Sequence, residues 1–334
     1  MIFSSSAFAG GSLLTRECGY ENIPNVFIEG HSWVDFPTYH DREGWNSIPD
    51  KIKAIVLRGG KEAVSKVPVP LTGYDYLLFK QGQSVDLVSQ KILDKKSRLE
   101  DLILAELIEG KGKFLEAISN SVWDFCAMGS WTSPESQFLQ TGKLGLPSRD
   151  DVVVDELTGE IAGLLSWAYY FFGEEFDKID PQINKWIVSE VQNRFLVPNQ
   201  EKYDLFWMCY QSPKVLYQTS WISYNWLLSE LLIEKDNEKR QKSVYKSLEC
   251  LDQFYKSVPE DGAFTGGPEI WQFAVGKYFQ ALELLDLASY GEIDIFDDVL
   301  LKKMGDYICY THISDGYQFN YADSNGEGVE VCHS

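Results

Sequence analysis

Trp221-Ile-Ser-Tyr-Asn-Trp-Leu227 and Glu260-Asp-Gly-Ala-Phe-Thr-Gly-Gly-Pro-Glu-Ile-Trp271 decide how this chain is read. The first stretch opens an apolar helix over Trp221–Ile233. The second is a loop dense in glycine that ends at Pro268 and Trp271, where another helix begins. Proline suits a first helical turn, because the N–H it lacks would have no partner there. Between the two, Glu238–Ser257 is one helix long and starts with charge. Two helix starts joined by one intervening helix form one wall of a cleft in an all-helical toroid.

The same spacing runs outward in both directions. Downstream, Trp271–Ser289 and Val299–Thr311 place apolar residues three and four apart, as a half-buried helix requires. Gly316-Tyr-Gln-Phe-Asn-Tyr321 alternates and predicts an extended ending. Upstream, helices are expected over Asn46–Leu57, Ser84–Leu93, Lys96–Ile108, Lys113–Cys126 and Asp155–Phe172, with another starting at Asp180-Pro181. Ser47 reads as the cap of the first. Arg58-Gly-Gly60 and Gly173 read as stops. Residues 1–45 read as an irregular arm, 129–150 as a long loop of the kind that often carries function, and 326–334 as a tail. The expected architecture is all-α, an incomplete (α/α) toroid over residues 46–325 with a short extended C-terminal end.

Composition narrows the function classes. Fifty acidic and 30 basic residues give a formal charge of −20, which opposes nucleic acid and anionic lipid alike. The longest apolar run, Ile161–Phe172, is shorter than the ~20 residues a spanning helix needs. Six scattered cysteines and four histidines form no metal-ligand spacing, and no cofactor motif occurs. Aromatic residues make up 14% of the chain, so stacked sugar rings and a large helical core are both served. Residues 1–9 end in a small-x-small pattern like a signal cleavage site, without a basic start.

Taken in order, Asp155-Glu-Leu-Thr-Gly-Glu160, Phe206-Trp-Met208, Trp221–Leu227, Pro259-Glu-Asp-Gly262, Gly267-Pro-Glu-Ile-Trp271 and Phe319-Asn-Tyr-Ala-Asp323 resemble the N-terminal helical domain of the heparinase II/III-like polysaccharide lyases. The resemblance covers Trp123–Asn325, about two thirds of the chain. It implies an incomplete toroid followed by a β-sandwich, which is absent from this sequence, and a periplasmic or secreted location. It also implies β-elimination on a uronic-acid polysaccharide. That reaction needs a group to neutralise the uronate carboxylate, a base to take the neighbouring proton, and an acid for the leaving oxygen.

The departures fall at those proton-moving positions. Thr219 stands where the family carries the neutralising Asn or His, Gly266 replaces an acid, and Ile270 replaces the tyrosine expected as base. Substitute catalytic residues are Glu269, at the right loop, and Tyr278, two helical turns beyond Trp271. Gln218, Thr219 and Asn225 are candidates for contacting the uronate, and Trp131, Trp207, Trp221 and Trp271 for stacking sugar rings. Trp226 reads as a core wedge. Alternatives from the same residues are a non-catalytic carbohydrate-binding relic and a truncated lyase whose β-sandwich partner lies elsewhere. A further alternative is a toroidal glycoside hydrolase drawing on Asp155, Glu160, Asp261 or Glu269, which needs two carboxyl groups across the scissile bond.

Overall fold

The computed structural model describes residues 12–27, 30–83, 86–141, 144–210, 215–314 and 316–324. The calls on residues 1–9 and 326–334 lie outside these. The described residues are overwhelmingly helical, so the all-α expectation stands. Their contacts divide the chain into two units, one formed by Asp35–Asn199 and the other by the residues up to Val34 together with those from Gln200 onward. The boundary at 199/200 cuts inside the span expected as one toroid, and that at 34/35 falls within the expected arm. No helix among the described residues is long and apolar enough to cross a membrane.

In the Asp35–Asn199 unit the helices are α1 (Asp50–Ser65), α2 (Gly73–Lys80), α3 (Leu87–Glu109), α4 (Leu115–Ala127), α5 (Glu156–Ile179) and α6 (Gln182–Val191). Two expected stops turn out to lie inside helices. α1 runs straight through Arg58-Gly-Gly60 because it crosses α3 there. A Cβ on Gly60 would stand 2.2 Å from the Ala105 Cβ, so glycine serves close approach rather than termination. Gly173 likewise sits within α5. The expected pair Ser84–Leu93 and Lys96–Ile108 is one helix, because Lys95 at the apparent break is buried and ion-pairs with Asp124 on α4. Ser47 caps nothing ahead of α1; it ends a separate turn, Arg42–Ser47, and donates back to the Gly44 carbonyl.

Turns in this unit are closed by side chains that sequence periodicity does not display. Buried Glu106 accepts hydrogen bonds from the Tyr39 hydroxyl and from the Gly112 and Phe114 N–H groups, fixing the link from α3 to α4. Arg42 donates to the Leu107 and Ile108 carbonyls, two of the last acceptors of α3, which have no partner within the helix. Asp155 caps α5, accepting from the Thr158 N–H at 2.9 Å. Ile187, Val191 and Phe195 are fully buried along one face of α6 and the turn that follows it, while Ile183 on the same face is half-buried.

In the other unit the helices are α7 (Gln218–Ile233), α8 (Asn237–Ser257), α9 (Lys277–Ala288) and α10 (Val299–Thr311). Pro268–Trp271 and the π turn Gln272–Gly276 lead directly into α9. The extended ending appears as two short antiparallel strands, β1 (His312–Ser314) and β2 (Tyr317–Gln318), with His312 opposite Gln318. α7 is buried almost all round, with Ile222, Trp226, Leu227 and Leu231 in its core faces, and it packs against both α8 and α9. The start of the expected irregular arm is anchored here. Buried Asp252 of α8 accepts the N–H groups of Leu13, Leu14 and Thr15 and the Thr15 hydroxyl, capping the turn Leu14–Glu17 from a distant helix.

Candidate functional site

The segment leading into the first of the two opening stretches meets the second. Val215–Tyr217 before α7, the end of α8 and the loop Ala263–Gly266 enclose a groove of about 260 Å³, with Asp323 at its margin. Glycine makes the loop's path workable at two points. Gly262 has φ +78° and would place a Cβ 2.4 Å from the Lys303 backbone carbon; Gly267 has φ +89° and would place one 2.5 Å from the Tyr321 carbonyl oxygen. Both positions therefore need a residue without a side chain. The Phe264 carbonyl accepts from the Tyr321 hydroxyl at 2.9 Å, and the hydroxyls of Tyr321 and Tyr307 are themselves in contact. The Asp323 N–H donates to the Gly266 carbonyl.

The floor beside this groove is aromatic. Trp221, on the first turns of α7, stacks on Phe273 with ring centroids 4.6 Å apart, and its other aromatic neighbour is Tyr217 at 6.5 Å. Phe273 is presented by the π turn Gln272–Gly276, and the Ser220 hydroxyl donates to the Ala274 carbonyl within the same turn. π turns insert one residue into a helix, re-aim its side chains, and often occur at functional sites. The groove itself offers the Tyr217 ring, the Thr265 hydroxyl and the Asp323 carboxylate, with buried Phe254 in its wall.

The sequence-predicted residues divide sharply. Trp221 is half-buried beside the groove, and Gln218, the first residue of α7, is half-buried with its side-chain carbonyl oxygen buried and unbonded. Glu269 is half-buried on the first turn after the loop, where its N–H donates to Ser324 Oγ. Thr219, Asn225 and Trp207 are turned inward. The Thr219 hydroxyl donates to the Trp207 carbonyl at 2.6 Å in a fully buried position, so it is spent on holding the chain. Asn225 is buried and its amide donates one turn back to the Trp221 carbonyl. Trp207 is fully buried and meets Trp226 edge to face, the wedge role expected of Trp226 alone. The Trp271 indole donates to the Met304 carbonyl, tying the loop to α10.

Tyr278 is the clearest correction. It is completely buried between Phe254 and Tyr255, and its hydroxyl has no hydrogen-bond partner. Burial raises its pKa well above the ordinary value, with the charges of Asp252 and Asp298 adding to the effect. A phenol walled in and held protonated has no route to a substrate proton. Of the hydrolase candidates, Asp155 is a buried helix cap, Glu160 pairs with Lys96, and the Asp261 carboxylate accepts from the Ala263 N–H. Trp131 belongs to the Asp35–Asn199 unit, fully buried beneath the Arg194 guanidinium.

Two further buried charges lie inside the unit that holds the groove. Glu230 of α7 is pushed up to about 8 by burial and by the nearby Glu234, although Gln200 donates to it. Lys246 of α8 is lowered to about 8 by burial while it donates to the Gln200 and Lys202 carbonyls. Both fasten the Gln200–Lys202 segment to the helices, which is a structural task. Among the described residues no three His, Cys, Asp or Glu side chains converge as metal ligands would.

Tyr217, Thr265 and Asp323 escaped the sequence reading as site residues. Tyr217 directly precedes the Gln218-Thr-Ser-Trp221 run, and Asp323 closes the Phe319–Asp323 motif, so their positions were marked by neighbours without their roles being legible. Compared with known families and curated proteins, the chain matches no family model and no curated protein.

Proposed function

We propose that this chain is a helical toroid domain of the heparinase II/III-like type that holds an oligosaccharide in the groove between Tyr217 and Gly266 without cleaving it by elimination. The observation that carries this reading is the pairing of an aromatic-lined groove with disarmed proton-transfer positions. The ordered motifs Trp221–Leu227 and Gly267–Trp271 support the family resemblance. Gly266 and Ile270 carry no titratable group, Thr219 is bonded to the backbone, and Tyr278 is sealed in the core.

What remains suits recognition. The half-buried Tyr217 ring takes the apolar face of a sugar ring, while the exposed Thr265 hydroxyl and Asp323 carboxylate exchange hydrogen bonds with sugar hydroxyls. A groove of 260 Å³ accommodates about one or two sugar residues by the usual size of small-molecule sites.

Calorimetric titration with defined uronate-containing oligosaccharides tests the reading. Saturable binding that Tyr217→Ala weakens about tenfold or more is the expected result, since fully burying an aromatic side chain contributes roughly 1.5–3 kcal/mol. Binding unaffected by Tyr217→Ala and Asp323→Asn would place recognition elsewhere and remove this proposal.

A further inference from the structure

A second cavity lies wholly within the Asp35–Asn199 unit and differs in chemistry from the groove. It encloses about 250 Å³ between the segment after α4, the loop preceding α5, and the π turn Gln192–Leu196 that follows α6. This loop belongs to the long irregular stretch that the sequence reading singled out for function without assigning one.

The lining is rich in donors. Arg149 is exposed, faces the cavity and makes no ion pair among the described residues. Arg194 enters from the π turn, with its guanidinium 4.9 Å from the Trp131 ring centre. Its Nε donates to Glu190 at 2.6 Å and one terminal nitrogen donates to the Cys126 carbonyl, which leaves the other terminal nitrogen for a ligand. Ser130 Oγ accepts from the Thr132 N–H, and Ser148 Oγ accepts from the Asp150 and Asp151 N–H groups. A hydroxyl that is accepting still has its own proton to donate.

Two guanidiniums and two hydroxyl donors face one carboxylate, Glu190, already committed to Arg194. The cavity lining thus carries one more positive than negative charge in a chain of net charge −20. Fixed stacking also matters, since Trp131 and Glu190 hold Arg194 in one orientation before any ligand arrives. The volume is slightly below the range of drug-sized sites, about 300–1,000 Å³, which points to a ligand of one ring.

We propose that this cavity is a binding site for a small hydroxylated carboxylate, a monomeric sugar acid, whose carboxylate pairs with Arg149 and the open edge of Arg194. The ligand's hydroxyls meet Ser130, Ser148 and the Asn193 amide. This site is independent of the groove: it lies in the other unit and shares no residue with it.

Calorimetry with sodium glucuronate, glucose and sodium acetate on the full chain tests the assignment. Glucuronate binds with one site per chain, and glucose and acetate each bind at least tenfold more weakly. Arg149→Gln lowers glucuronate affinity about tenfold or more, the effect of removing one charge-assisted pair, and Arg149→Lys restores part of it. Arg149 is exposed, so neither variant disturbs the core. No glucuronate binding, equal binding of glucose or acetate, or an unchanged affinity in Arg149→Gln would overturn the proposal. Tyr217→Ala reports on the groove and Arg149→Gln on this cavity, so the two readings fail separately.

Discussion

The Trp221 indole lies almost parallel to the Phe273 ring, 16° between planes and 4.6 Å between centroids. This stack joins the first turns of α7 to the π turn that leads into α9, and so fixes the position of the groove's loop relative to its opposite wall. Aromatic pairs of this kind contribute about 0.5–1.5 kcal/mol beyond the area they bury. A double-mutant cycle with Trp221→Leu and Phe273→Leu in urea denaturation is expected to return a coupling energy in that range. Strict additivity of the two single changes would mean that the rings are not coupled.

Gly60→Ala is expected to destabilise the protein although it sits in mid-helix. Helix propensity alone favours alanine by about 1 kcal/mol. The added methyl meets Ala105 at 2.2 Å, however, and overpacking at a helix crossing costs about 1–3 kcal/mol. The net loss is therefore on the order of 1 kcal/mol in chemical denaturation. The pair Gly60→Ala with Ala105→Gly is expected to recover part of it. A Gly60→Ala protein more stable than the parent would mean that α1 and α3 do not cross closely at this point.

Asp252→Ala is expected to cost about 2–4 kcal/mol, because a buried carboxylate accepting three backbone N–H groups and one hydroxyl leaves all four donors without a partner when removed. The readout is amide exchange as well as stability. Protection at Leu14 and Thr15 is lost before any change in α10. Retained protection there would show that the Leu14–Glu17 turn is held by something other than Asp252.

Glu230 sets a pH dependence with a defined sign. Its pKa lies near 8 in the folded protein against an ordinary 4.5, so the folded state retains a proton that the unfolded chain releases. Stability contributed by this group is fully present below pH ~4.5 and falls as pH rises toward 8, by at most about 1.4 kcal/mol per pH unit. Glu156, pushed up to about 7 by burial and by Asp155, acts in the same direction up to its own value. Lys246, lowered to about 8 from 10.5, acts oppositely and only above pH ~8. Glu230→Gln is therefore expected to gain stability over the parent progressively between pH 5 and 7.5. Parallel stability curves for the two proteins would contradict this.

The helical class and most helix positions were legible because α8 and α10 carry a core-facing periodicity, α7 is a helix-length run buried almost all round, and the polar links between them are short. Val299–Thr311 is a case where predicted and observed bounds coincide. Where the sequence misled, a polar or small residue was serving packing. Gly60 marks a crossing, and Lys95 is a buried ion-pair member in a position that looked like a break. The site was less legible for a related reason. Trp207, Thr219 and Tyr278 have the residue types that bind or react, but only tertiary packing shows that they face inward. Tyr217, Asp323 and Arg149 face open space because of loop paths that no periodicity records.

The proposed groove binds an oligosaccharide and leaves its glycosidic bonds intact. Incubating the full chain with a panel of uronate polysaccharides while following the ultraviolet absorbance of unsaturated uronate product tests it directly, with binding titrated in parallel. The account predicts saturable binding, weakened by Tyr217→Ala, with no rise in absorbance. A steady rise in absorbance that is abolished by Glu269→Gln or Tyr217→Phe would contradict it and establish the chain as a working lyase.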